Sequence, residues 1–158
     1  MPKIKIISGG QTGVDRAALD AALASNLECG GWCPDGRKAE DGKIPSHYPV
    51  TELKDSGYTK RTLQNVIDSD GTVIIYFATL SGGTEKTLLF CLEQKKPYLL
   101  IDASELPYKR TAERIQDFVT NNAIKILNIA GPRASGEPLA YDYTLRAMKH
   151  YLSTRNIK

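Results

Sequence analysis

Three short segments carry the residue types that could hold an anion: Ser8-Gly9-Gly10-Gln11-Thr12-Gly13, Ser81-Gly82-Gly83-Thr84 and Ala130-Gly131-Pro132-Arg133-Ala134-Ser135-Gly136. Glycine lets a backbone approach a ligand closely and reach positive φ. Ser8, Thr12, Ser81, Thr84 and Ser135 add hydroxyl donors, and Arg133 adds a planar fork suited to phosphate or carboxylate. The first two segments follow apolar runs and precede helical spacing. A turn in that position offers free N–H groups and the positive end of a helix dipole, which together favour an anion. Any one of these turns could equally be a plain tight turn. All three meeting at one place would point to a phosphate-bearing ligand. The spacing fits neither the Gly-x-Gly-x-x-Gly dinucleotide fingerprint nor a P-loop.

Other polar residues have two readings each. Arg16, just inside the first helix with Asp15, either reaches over the sheet edge toward a ligand or solvates the helix. Arg61 and Asn65, four apart, share one helix face toward the site or toward solvent. Glu85 suits a helix dipole and could also act as a general acid or base. Asp35, Arg37, Lys38, Glu40 and Asp41 form a mixed-charge stretch, either solvated or a lid. Trp32 could stack on a flat ring or fill the core. His47 and His150 have no partner visible in the sequence. No catalytic group stands out. Cys29, Cys33 and Cys91 are odd in number and suit reduced thiols, with no metal-like cluster around them.

The elements that must position these turns alternate along the chain. Strands are expected over residues 3–8, 29–32, 72–77, 97–101 and 124–129, and helices over 13–25, 59–67, 84–94, 108–121 and 139–152. The run Thr72–Phe77 is β-branched and aromatic throughout, as for a strand buried on both faces. Such alternation predicts an α/β fold: a mostly parallel central sheet with helices on both faces, in three layers. Right-handed crossovers place the strand carboxyl ends, and with them the three turns, on one edge. Residues 33–58 break the pattern with Pro34, Gly36, Gly42, Pro45, Pro49 and Gly57. They read as a long ordered loop covering something, or as an exposed one. With 158 residues, a single domain spanning 1–158 is expected.

A net charge of +3 is too small for the basic stripe of a nucleic-acid binder, so no nucleic-acid partner is expected. The apolar run Ile4–Ile7 is too short for a signal peptide, and no stretch approaches the roughly 18 apolar residues of a membrane span. No membrane partner is expected, and the chain reads as cytoplasmic.

The segment Ser8–Asp20, Gly31-Trp32-Cys33-Pro34, Gly36-Arg37, Glu40-Asp41-Gly42, Arg61-Thr62, Asn65-Val66, Ser69–Thr72, Ser81–Thr84, Asn128 and Ala130–Ser135 together resemble the molybdenum cofactor carrier proteins. The resemblance covers nearly the whole chain. It implies a Rossmann-like, usually oligomeric domain, so a homo-oligomer is expected. It further implies a bound molybdenum cofactor, a pterin bearing a phosphate, with molybdoenzymes as possible recipients. On this reading the ligand contacts are Ser8, Gly9, Gly10, Gln11, Thr12, Arg16, Ser81, Gly82, Gly83, Thr84, Gly131, Arg133 and Ser135. The wider group includes the lysine-decarboxylase-like phosphoribohydrolases and a DNA-processing protein, and shares nucleotide-derived ligands. The alternatives are therefore a nucleotide N-glycosidase using Asp15, Asp70 or Glu85, or a ligand sensor. The phosphoribohydrolase motif Pro-Gly-Gly-x-Gly-Thr-x-x-Glu is not matched at Ser81–Thr87, where Glu85 is out of phase with the catalytic glutamate, and this favours binding over hydrolysis.

Overall fold

The computed structural model describes residues 2–155; of the expected 1–158 domain, residues 1 and 156–158 lie outside the described ones. The chain runs β1 (Lys5–Ile7), α1 (Val14–Ala24), β2 (Cys29–Gly30), β3 (Trp32–Pro34), β4 (Lys38–Ala39), β5 (Gly42–Lys43), β6 (Thr51–Leu53) and α2 (Tyr58–Asp68). It continues through β7 (Gly71–Tyr76), α3 (Gly82–Glu93), β8 (Tyr98–Asp102), α4 (Tyr108–Asn121), β9 (Ile126–Ala130) and α5 (Ala140–Arg155).

Five strands form the central sheet in the order β2-β1-β9-β7-β8, and every neighbouring pair is parallel. Helices α1, α4 and α5 pack together on one face, and α2 and α3 on the other. This is the Rossmann-like three-layer α/β arrangement expected from the alternation. Strand β7 shows how the period of two divides the layers. Val73 and Ile75 enter the large core with α1, α4 and α5, while Ile74 enters a smaller one with Val66 and Cys91.

The strand order positions the site. The chain leaves β1 for β2 on one side and leaves β7 for β8 on the other. Strand β9 fills the gap between β1 and β7, so the three strands that carry the glycine turns are neighbours. This reversal of winding is the crevice where open α/β sheets bind ligands.

The expected strand at 29–32 is divided. Gly31, at φ 122°, turns the chain after two residues of β2, and Trp32 opens a separate two-stranded sheet of β3 with β6. The 33–58 segment also contains the β4–β5 hairpin. Arg37 ties it together: its guanidinium donates to the carbonyls of Ile44, Pro45, Tyr48 and Val50 at 2.7–3.1 Å. Elements this short pair through such contacts and leave no periodicity to read.

Candidate functional site

A cavity of 310 Å³ opens at the carboxyl edge of β1, β9 and β7. All three turns contribute: Gly9 and Gln11; Ser81, Gly83 and Thr84; Gly131 and Arg133. Helix α2 closes the remaining side with Tyr58, Arg61 and Asn65. Its volume is at the small end of ligand clefts, which run from about 300 to 1,000 Å³.

The two sides of the cavity differ in what their backbone amides do. Around the first turn they are consumed by the protein itself. Gln11 N–H donates to the Asp15 carboxylate at 3.2 Å, and Thr12 N–H to its neighbour Gln11 Oε1 at 3.0 Å. Val14 N–H reaches the Pro132 carbonyl at 3.2 Å, and Arg16 N–H the Gln11 carbonyl at 3.1 Å. The first turn is thereby welded to the third. Gly13, at φ 81°, faces Pro132 so closely that a Cβ there would stand 2.5 Å from the Pro132 carbonyl oxygen.

The second turn is open. The first intrahelical bond of α3 runs from Glu85 N–H to the Ser81 carbonyl at 3.2 Å. The amides of Gly82, Gly83 and Thr84 precede it and have no acceptor among the described residues, and Ser81 makes no side-chain cap. These are the donors that a helix N-terminus offers to an anion.

The cavity floor carries a buried charge pair. Asp15 is 4% exposed, and Arg61 Nη1 lies 3.5 Å from its Oδ2. Burial pushes the Asp15 carboxyl above its ordinary value, while Arg61 and the Gln11 and Gly9 amides pull it back. Arg61 lies directly over Gly9, where any side chain would collide with its guanidinium. The guanidinium carbons of Arg61 and Arg133 stand 5.7 and 5.0 Å from the centroid of the Tyr58 ring. Two cations on one ring against one buried carboxylate leave the cavity with an excess of positive charge. Two buried donors, Gln11 Nε2 and Arg61 Nε, have no partner among the described residues. Unpaired buried donors are costly, and a ligand acceptor would relieve them.

Of the expected contacts, Gly9, Gln11, Ser81, Gly83, Thr84, Gly131 and Arg133 line this cavity. Ser8, Gly10, Thr12, Arg16, Gly82 and Ser135 do not. Ser8 is buried, and its hydroxyl donates to the Asp15 carbonyl at 2.9 Å. Gly10, at φ 77°, lies under Ile44. Gly82, at φ 56°, sits in open space at the start of α3. Thr12 and Ser135 both hydrogen-bond Glu40, from the β4–β5 hairpin, and Ser135 N–H adds a third bond to that carboxylate at 3.1 Å. The Ser135 and Thr12 bonds hold the Glu40 carboxyl below its ordinary value. Arg16 is turned the same way, donating to both Asp41 oxygens and to the Gly10 carbonyl. Residues 33–57 thus clasp the outer side of the first and third turns, and none of them lines the cavity.

Asn65 faces the cavity, but its amide is engaged with the Trp32 backbone at 2.8 and 2.9 Å, anchoring α2 to β3. Trp32 does not line the cavity; its indole N–H donates to Asp68 at 2.6 Å. Tyr58 is a wall residue that the sequence reading does not name, and Thr62 one that it names only among the residues of the family resemblance. Asn128 also lines the wall, and a polar residue near the end of the apolar run Ile126–Ala130 was a readable signal for it. Of the three candidate carboxylates, only Asp15 lines the cavity. Asp70 accepts the Lys125 and Ile126 amides at 2.9 and 2.8 Å, where β9 begins at the far end of the sheet. Among the described residues no cluster of three or more His, Cys, Asp or Glu side chains could hold a metal, and no helix is long and apolar enough to cross a membrane.

Fold and site together define a Rossmann-like α/β domain with a polar, cation-rich cavity at its topological switch point. The chain belongs to the circularly permutated YpsA SLOG family, whose model matches residues 6–152. It is also similar to a solved structure from Syntrophus aciditrophicus SB named "putative molybdenum carrier protein", with 46% identity over 96% of each chain and a TM-score of 0.93. A search of curated proteins finds no match.

Proposed function

We propose that this protein binds and carries a phosphate-bearing small molecule, molybdenum cofactor or a nucleotide-like relative of it, in the cavity between α2 and α3. The observation that carries this reading is the row of acceptor-free amides at the start of α3, where Gly83 and Thr84 line, and Gly82 adjoins, a cavity that also holds Arg61 and Arg133. The phosphate is assigned to the second turn. The flat ring lies between Tyr58 and the Gln11 side chain, whose unpaired Nε2 is a donor for a ring oxygen or nitrogen. Any metal arrives on the ligand, because the cavity wall offers it no cysteine or histidine. The similarity to a protein named as a molybdenum carrier supports the same ligand here. In this role the protein works in the cytoplasm and hands its cargo to molybdoenzymes. A second copy of the chain covers α3 and the edge strand β8, where Leu89, Leu92 and Tyr98 are 50%, 52% and 40% exposed.

Native mass spectrometry of the protein purified from its own cells, with molybdenum and phosphorus measured on the same sample, tests the reading. A retained molecule carrying both elements is expected. Protein that never retains a phosphate-bearing molecule, under gentle purification, contradicts it.

A second reading, nucleotide N-glycosidase, is favoured by one observation: Asp15 is a buried carboxylate on the cavity wall. It requires hydrolysis of a nucleotide to free base and ribose phosphate, abolished in Asp15→Asn.

A further inference from the structure

The cavity does not end at Ser81. A trough of 210 Å³ shares Ser81, Thr84, Pro132 and Gly136 with it and continues past Tyr76 and Thr79. Through Phe77 and Glu137 the trough joins an open bowl of 540 Å³ that is walled by Leu139 and Tyr143. The three hollows therefore form one groove along the carboxyl edge of the sheet, with the open amides of α3 near its middle.

The two ends of the groove differ in chemistry. The end toward α2 is polar and cationic. The bowl sets an apolar wall, in which Phe77 and Tyr143 meet edge to face at 5.8 Å, beside the charged side chains of Glu137, Asp142 and Arg146. Leu139, at 64%, is the most exposed large hydrophobic side chain among the described residues. The charges of the bowl do not invite an anion. Arg146 is paired with Asp142 at 3.0 Å, and Glu137, at the junction, turns its carboxylate to the Leu139 N–H at 3.2 Å. An anionic group is thus confined to the Ser81–Thr84 side, and what lies beyond Glu137 must be neutral and flat enough to cover Phe77 and Leu139.

We propose that the groove takes a phosphate-bridged, two-ring ligand, a dinucleotide form, rather than a mononucleotide. One ring occupies the polar cavity, the bridge sits on the Gly82–Thr84 amides and Arg133, and the second ring lies in the bowl on Leu139 and Phe77. This rests on the phosphate-binding reading above and extends it by a second subsite.

Isothermal titration of the full chain with GMP and with diguanosine diphosphate, two guanosines joined by a diphosphate, separates the possibilities. The dinucleotide is expected to bind at least about tenfold more tightly than GMP, a difference of about 1.4 kcal/mol. Leu139→Asp is expected to bring the dinucleotide's affinity down to that of GMP. Leu139 is exposed, and Leu139→Ser carries the same test if the aspartate variant does not fold. GMP binding with no gain for the dinucleotide overturns the second subsite and leaves the carrier reading standing. A gain that survives substitution of Leu139 also overturns the assignment of the bowl. Binding of neither nucleotide overturns the dinucleotide proposal, while the carrier reading stands or falls on the retained-ligand measurement above.

Discussion

The first and second glycine turns have the same sequence form, Ser-Gly-Gly followed by a helix, and opposite hydrogen-bonding states. At the first turn the helix carries Asp15 in its opening turn, whose carboxylate accepts the Gln11 amide, while Gln11 Oε1 accepts the amide of Thr12. Glu40 then closes the outer side through Thr12 and Ser135. Two carboxylates occupy the neighbourhood in which a phosphate would be stabilised. At the second turn no described residue takes the amides of Gly82, Gly83 and Thr84. A glycine turn before a helix is therefore only a potential anion site, and the acidic side chains folded onto it decide whether it remains one. On the proposed reading the first turn acts mainly as a structural joint between β1, β9 and the 33–58 segment, and the second as the place for the ligand's phosphate.

The largest effect expected from this contrast is on stability. Gly13→Ala places a Cβ at φ 81° and 2.5 Å from the Pro132 carbonyl, a backbone atom that cannot swing away. It should cost roughly 3 kcal/mol in chemical denaturation, the sum of a strained conformation and an overpacked contact. Gly83→Ala meets no atom within 4 Å. It should change stability by no more than about 1 kcal/mol. Equal losses at the two glycines would erase the distinction between joint and open site.

Next in size is ligand affinity. Arg133→Ala should weaken binding of GMP by roughly 1–3 kcal/mol, the scale of a lost charge-assisted hydrogen bond. Unchanged affinity by titration calorimetry would remove Arg133 from the site. Glu40→Gln, on the joint side, should leave GMP affinity within about twofold while speeding hydrogen exchange at the Ser135 amide, which donates to that carboxylate at 3.1 Å.

The smallest effect concerns pH, and here two carboxylates of the joint have opposite signs. Burial raises the Asp15 carboxyl, so the folded chain holds that proton more tightly than the unfolded chain. The stabilisation is present in acid and is lost as pH rises above the ordinary aspartate value of 3.8. Hydrogen bonds from Ser135 and Thr12 lower the Glu40 carboxyl. Its contribution is present above the ordinary glutamate value of 4.5 and is lost as pH falls through the lower folded value. Denaturation curves between about pH 3 and 6 should show Asp15→Asn gaining on the wild type as pH rises, and Glu40→Gln gaining on it as pH falls. The same sign for both would contradict the assignments.

Most of the sheet and its helices were legible because buried parallel strands and amphipathic helices write their periods into the chain; Thr72–Phe77 and Tyr108–Asn121 are plain cases. The position of β9 between β1 and β7 was not legible, because strand order is set by contacts far apart in sequence. Nor were the short strands of residues 33–58, which Arg37 holds through four carbonyls. At the site, the glycine turns and Arg133 could be picked out by residue type. Their division into a closed and an open turn could not. It depends on Glu40 returning to Thr12 from 28 positions away, and on Arg61 crossing 46 positions to lie against Asp15 and Gly9.

The most direct test follows the backbone amides by heteronuclear NMR while GMP is titrated into the protein. The account predicts the largest shifts at Gly82, Gly83 and Thr84, with Thr12 and Ser135 nearly still on the Glu40 side. Large shifts at Thr12 and Ser135, with the α3 amides unmoved, would place the phosphate on the first and third turns and contradict the account.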